Sequence, residues 1–121
     1  MKAKPYKEIK TETGSVGSVP CQPDEATHVW IRMPGPTKNL ILPVVLKNAT
    51  RAGTGCWSWN GDVDRPTLKP SILSHGTNED GTPWRCHSFV NDGVVQFLED
   101  CSHELGGHSV PMPEHEPDPA P

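Results

Sequence analysis

Residues 85–103 read RCHSFVNDGVVQFLEDCSH, and the fold turns on whether this run is a strand pair. It holds two of the chain's four cysteines and two of its six histidines. The central VNDGV has the composition of a hairpin loop, with Gly93 supplying a left-handed position. A three-residue loop pairs Val90 with Val94, and therefore Phe89 with Val95, Ser88 with Gln96, His87 with Phe97 and Cys86 with Leu98. Because successive strand side chains alternate, one face then carries His87, Phe89, Val95 and Phe97. The other carries Trp84, Cys86, Ser88, Val90, Gln96, Leu98 and Asp100. A slip of one residue inverts the assignment.

Outward from this hairpin, the chain keeps the same character. HVWIRMP (28–34) alternates, and NLILPVVLK (39–47) is the most apolar stretch, interrupted by Pro43. Trp57 and Trp59 stand two residues apart, on one face of a strand, and NGD (60–62) signals a turn. TLKPSIL (67–73) reads as a further short strand, HGTNEDGTP (75–83) as a polar loop, and CSHELGGH (101–108) as one helical turn or an irregular loop. Short strands, frequent turn residues and almost no helical periodicity predict an all-β or β-dominated small single domain. Antiparallel hairpins with at most a short helical turn are the expected architecture. Pro 14 and Gly 11 in 121 residues point the same way.

Three segments are expected: a loose N-terminal arm over 1–26 with one short strand near Tyr6–Ile9, a β-rich domain over 27–112, and a disordered acidic, Pro-rich tail over 113–121. A formal charge of −4 gives no basic footprint, so nucleic acid is set aside as a partner. No run approaches a membrane span and the N-terminus lacks an apolar signal core, so no membrane partner is expected. Four scattered cysteines without an export signal imply reduced thiols in a bacterial cytosol. The apolar strand Leu40–Leu46 is a candidate for pairing across a homo-oligomer.

The reactive residues admit several constellations. On the register above, Cys86 and His87 point to opposite faces and do not share a metal. A zinc ion would instead draw on Cys86, Cys101 and His103, with His75 from the preceding loop. Acyl-transfer chemistry needs a nucleophile, a base within about 3 Å and a group orienting the base. The candidates are Ser71 or Cys86 as nucleophile, His87 or His103 as base, and Asp100 as orienter. Such a site requires no cofactor. The plain structural alternatives are a buried hydrophobic Cys86, a core His87 bonded to backbone, an N-capping Asp100 and an ordinary strand-end Ser71.

Together WSWNGD, RPTLKPSIL, RCHSFVNDGVVQFLEDCSHELGG and VPMP resemble a family of short phage and prophage proteins often labelled ammonia monooxygenase. Nothing in the chain supports a monooxygenase, since it has no copper-type histidine set. A looser similarity runs to the peptidase-like component of bacterial ubiquitin-like (Bub) operons. That family carries a PSI element, matched by Pro70, Ser71 and Ile72, and a Ser-His dipeptide whose place is taken by Cys86-His87. The resemblance implies cleavage of isopeptide or ester-linked conjugates by a serine nucleophile, here Ser71 or the thiol of Cys86. The family's Cys-rich, zinc-binding stretch corresponds to GCWSWNGD, which keeps Cys56 alone and so implies loss of that metal. The resulting expectation is a small phage or prophage accessory protein with a peptidase- or deconjugase-like site, acting on a host or phage protein. The alternative is a non-enzymatic binding module that inhibits a host defence protein, with or without a structural zinc.

Overall fold

A computed structural model describes residues 1–46 and 55–115. Among these residues the chain forms nine strands in one sheet and a single 3-10 turn at Pro23–Glu25. The strands are β1 (Ala3–Lys10), β2 (Val16–Pro20), β3 (His28–Arg32), β4 (Asn39–Leu46), β5 (Trp57–Trp59), β6 (Leu68–Thr77), β7 (Pro83–Asn91), β8 (Val94–Phe97) and β9 (Ser109–Pro111). Their order is β2-β1-β3-β4-β5-β6-β7-β8-β9. The expectation of a small all-β domain holds.

The sheet folds over on itself, so alternate residues from both halves share one core. Val29 and Ile31 of β3, Leu42 and Val44 of β4, Trp59, Leu68, Val90, Val95 and Phe97 all belong to it. The buried side of each strand is set by its own alternation, as in β3, where Val29 and Ile31 point inward and His28, Trp30 and Arg32 do not. Backbone bonds close the fold across its halves: the Lys2 and Ala3 amides donate to Val63 O at 2.6 and 3.0 Å. The Gly93 amide donates to Pro66 O at 2.9 Å.

The N-terminal residues are not a loose arm. Both β1 and β2 are paired, Ala3 is fully buried, and β1 lies between β2 and β3 in the sheet. Their composition hides this because the outer face of β1 is polar and β2 is an edge strand. Residues 113–115, assigned above to a disordered tail, are tied down as well. The His115 amide donates to Met1 O at 2.8 Å, and its ring lies edge-on to Trp30 with centroids 4.4 Å apart. The rest of the expected tail, 116–121, lies outside the described residues.

Pro43 does not break β4; it marks the point where pairing changes sides. Residues 39–43 pair antiparallel with β3, whereas 44–46 pair parallel with β5. From β5 onward every described pairing is antiparallel between consecutive strands. β6 also runs further than TLKPSIL, through His75 to Thr77, which shortens the following loop to 78–82.

The central hairpin is present with a register one residue from the expected one. Val90 pairs with Val95 and Asn91 with Val94, leaving a two-residue loop of Asp92 and Gly93. Both have positive φ, 52° and 77°, which is the type I′ geometry that matches the twist of the flanking strands. Asp tolerates the left-handed region better than most residues, and that tolerance shortened the loop. The consequence is the inversion anticipated for a slip: Val95 and Phe97 join Cys86, Ser88 and Val90 on the buried face. Arg85, His87 and Phe89 lie on the other face.

Candidate active site

Three segments of the meander meet on the outer face around His87. β6 and β7 pair with Leu73 opposite His87 and Ile72 opposite Ser88. Between Leu68 and Ile72 the register shifts, because four steps along β6 correspond to two along β7. Such a bulge re-aims the side chains beside it. Within it, after the cis Lys69–Pro70 bond, Ser71 emerges on the same side as Leu73. It stands diagonally across from His87, at the spacing reached by long side chains on neighbouring strands.

The third segment is the turn that follows β8. The Leu98 amide donates to His87 O at 2.9 Å and the Ser102 amide to Arg85 O at 3.0 Å, so this segment runs beside β7. In between, the Cys101 amide closes a turn onto Leu98 O at 3.2 Å, with Glu99 and Asp100 at its centre. The Cys101 thiol replaces the missing backbone partner. Sγ accepts the His87 amide at 3.1 Å and stands 3.1 Å from His87 O, to which the thiol donates. The turn thereby presents Asp100 outward at the level of His87. The alternative of a helix N-cap at Asp100 has no place here, because 98–108 is a series of turns.

His87 consequently uses both ring nitrogens. Nε2 is 3.0 Å from Ser71 Oγ and Nδ1 is 3.2 Å from Asp100 Oδ2. Arg85 reaches the same Oδ2 at 3.1 Å. The His87 hydrogen bond, helped by the charges of His87 and Arg85, holds the Asp100 carboxyl below its ordinary value of 3.8. An ionised Asp100 fixes the proton on Nδ1, which leaves Nε2 as an acceptor for the Ser71 hydroxyl. Ser71 is also held through its backbone, whose carbonyl accepts Trp57 Nε1–H at 3.4 Å. His87 is 23% exposed and Asp100 45% exposed, so the array opens to solvent. Leu73 and Phe89, each about half exposed, flank it, and a groove lined by Leu73, His75, Pro83, Trp84, Arg85 and Ser102 continues along the same face.

Cys86 and His103 are on the opposite side of β7. Cys86 is 1% exposed and burial pushes its thiol above the ordinary value of 9.0. His103 Nε2 lies 3.3 Å from Cys86 Sγ, and the ring packs edge-on against Phe97 at 4.9 Å. Burial lowers the pKa of His103. Of the candidate combinations, that of Cys86 and His103 with Asp100 is divided across the sheet, since the register puts Asp100 with His87. Cys86, Cys101 and His103 do converge, each offering a ligand atom within 4.8 Å of the others. His75 is not in that group. It is exposed, one residue from Ser74 and thus on the other face. The stretch 55–62 offers only Cys56 among thiols and imidazoles, a donor set that does not fit a zinc site there.

Trp57 and Arg85 are parts of the site not anticipated from sequence. The nearest signal was the pairing of Trp57 with Trp59 on one strand face; Arg85 gave none beyond its place before Cys86. No helix among the described residues is long and apolar enough to cross a membrane.

Compared with known families, the chain matches the model described as "Bacterial ubiquitination-like system serine protease (BubE)" over residues 42–98. The matched span includes Ser71 and His87 and ends just before Asp100. No curated protein and no solved structure matches.

Proposed function

We propose that this protein is a small serine hydrolase of the peptidase or deconjugase type, with Ser71 as nucleophile, His87 as general base and Asp100 as the group that orients His87. The observation that carries the reading is the bridging imidazole, 3.0 Å from Ser71 Oγ and 3.2 Å from Asp100 Oδ2. Both distances fall within the reach that a nucleophile–base–orienter array requires. The match over 42–98 to a serine-protease family supports the same assignment.

In the acylation step the Ser71 hydroxyl adds to the substrate carbonyl carbon while its proton passes to His87 Nε2. The imidazolium, stabilised by Asp100, then gives that proton to the leaving amine or alcohol as the scissile bond breaks. Water repeats the sequence on the acyl-enzyme: His87 takes its proton, hydroxide adds to the ester carbonyl, and Ser71 departs with the proton returned. Cys86 is not the nucleophile, because a buried thiol with a raised pKa is a poor source of free thiolate.

The substrate in this reading is a protein conjugate or peptide tail lying in extended form over Leu73 and Phe89. The resemblance to phage proteins supports an accessory role on a host or phage protein in the bacterial cytosol. A fluorophosphonate probe tests the chemistry. Wild type labels, whereas Ser71→Ala does not. Labelling that survives Ser71→Ala, or is absent from folded wild type, rejects the hydrolase and leaves the binding module.

A further inference from the structure

The inner face of β7 carries a second constellation that the hydrolytic reading does not use. Cys86 precedes His87 and Cys101 follows Asp100, so each is the chain neighbour of a member of the outer array. Their sulfur atoms and a ring nitrogen of His103 lie within 4.8 Å of one another, and Nε2 is 3.3 Å from Cys86 Sγ. Tetrahedral zinc with bonds of about 2.3 Å to sulfur and about 2.0 Å to nitrogen separates neighbouring ligand atoms by roughly 3.5 Å. The side chains thus need only small adjustments to hold one ion.

We infer that Cys86, Cys101 and His103 form a zinc site that staples β7 to the 98–106 turn from behind. Three further features support a built site. The His87 amide already donates to Cys101 Sγ at 3.1 Å, the kind of outer bond that stabilises a metal thiolate. The Thr37 and Ser74 hydroxyls, 2.8 Å from each other, stand against the Cys86 sulfur and supply polar surroundings for a fourth ligand such as water. Gly35 lies against the imidazole, where an added Cβ would be 3.5 Å from Cε1 of His103, so the loop before β4 closes over the ring.

Binding exchanges two S–H protons for two zinc–sulfur bonds, and both protons leave to solvent. The Cys101 S–H bond to His87 O is given up. The His103 ring proton moves to Nδ1, and the 3.3 Å bond from the Leu105 amide is lost with it. The ion is structural, and its ligands are positioning residues for the outer array. This consequence for activity rests on the hydrolase reading; the presence of the metal does not.

Cobalt(II) titration of the full chain in its reduced state decides the site. The expected result is one equivalent bound, with sulfur-to-cobalt charge-transfer absorption and the d–d bands of tetrahedral cobalt. Zinc should displace it. Cys86→Ser and Cys101→Ser lose the charge-transfer intensity in part, His103→Ala shifts the d–d bands, and Ser71→Ala and Cys56→Ser leave the spectrum unchanged. Wild type without charge-transfer absorption overturns the inference. So does a spectrum indifferent to Cys86→Ser, or a Cys86–Cys101 disulfide that forms in air despite excess zinc. For the coupling, chelation should slow fluorophosphonate labelling at Ser71 by about tenfold or more and zinc should restore it; an unchanged rate rejects the staple's role while the cobalt spectrum still judges the metal. Absence of labelling altogether, with the cobalt spectrum intact, removes the hydrolase and keeps the zinc.

Discussion

At the scale of the single residue, His87 shows how one side chain can be set from both sides. Its ring is fixed by Ser71 and Asp100 and its backbone by Leu98 and the Cys101 thiol. Replacing Asp100 with Asn removes the charge that stabilises the imidazolium and offers an amide that selects the wrong tautomer. The expected loss is about 10²–10⁴-fold in turnover of an activated ester, with only a small fall in melting temperature because an exposed ion pair contributes little. A loss below about threefold would remove Asp100 from the mechanism. Ser88 is the opposite case, a hydroxyl in the apolar core between Cys86 and Val90. Its Oγ is buried with no hydrogen-bond partner among the described residues. Ser88→Ala should therefore raise stability by about 1 kcal/mol in urea titration, as an unpaired hydroxyl is costlier than a small void. A destabilised variant would mean that the hydroxyl has a partner in solution.

At the scale of elements, the two-residue turn at Asp92 and Gly93 governs the whole site. It sets Val90 against Val95, and through alternation it decides that His87 faces outward and Cys86 inward. Gly93 is indispensable there: its φ is 77°, and a Cβ would come within 3.3 Å of Arg65 Cα and of Asp64 O. Gly93→Ala should cost about 1–2 kcal/mol from the left-handed backbone alone, with the crowding adding to it. Chemical denaturation measures this, and an unchanged midpoint would contradict the turn. The strands themselves were legible in VNDGV and in the alternation of HVWIR. The register was not, because NDG suits loops of two or three residues equally well, and the choice depends on Asp92 adopting positive φ. The Ser71–His87 contact was hidden for a related reason. It needs the bulge between Leu68 and Ile72, whose only trace in sequence is Pro70 within a strand-like run. The short strand expected near Tyr6–Ile9 lies inside β1, but its length and its place within the sheet escaped notice because Lys4, Lys7, Glu8 and Lys10 dilute the short apolar pattern that buries Ala3 and Pro5.

At the scale of the molecule, the fold is held partly by carboxylates on its surface. Glu25, Asp62, Asp80, Asp100 and Glu114 are all held below their ordinary values, each first by a hydrogen bond from a side chain, a backbone amide or, for Glu114, the N-terminal ammonium. A depressed native pKa adds stability that is present above the unfolded value and disappears as pH falls through the native one. Burial also lowers the pKa of His103 and His115, so the melting temperature should begin to decline as pH falls below about 6.5 and fall further, through the carboxylates, below about pH 4. Because the carboxylates are exposed, salt should flatten their part of the decline. A melting temperature constant down to about pH 3 would show that these bonds do not form in solution.

The run of consecutive antiparallel pairings from β5 to β9 has a further consequence, which concerns assembly. Ser71 and His87 are 16 residues apart and His87 and Asp100 are 13 apart, so the array closes only short loops. The entropy of closing such loops is small, and contacts of low sequence separation form early relative to distant ones. β1, by contrast, must wait for chain more than fifty positions downstream before Ala3 can meet Val63. The Ser71–His87–Asp100 array is thus written into one continuous stretch of polypeptide, which a ribosome delivers as a unit.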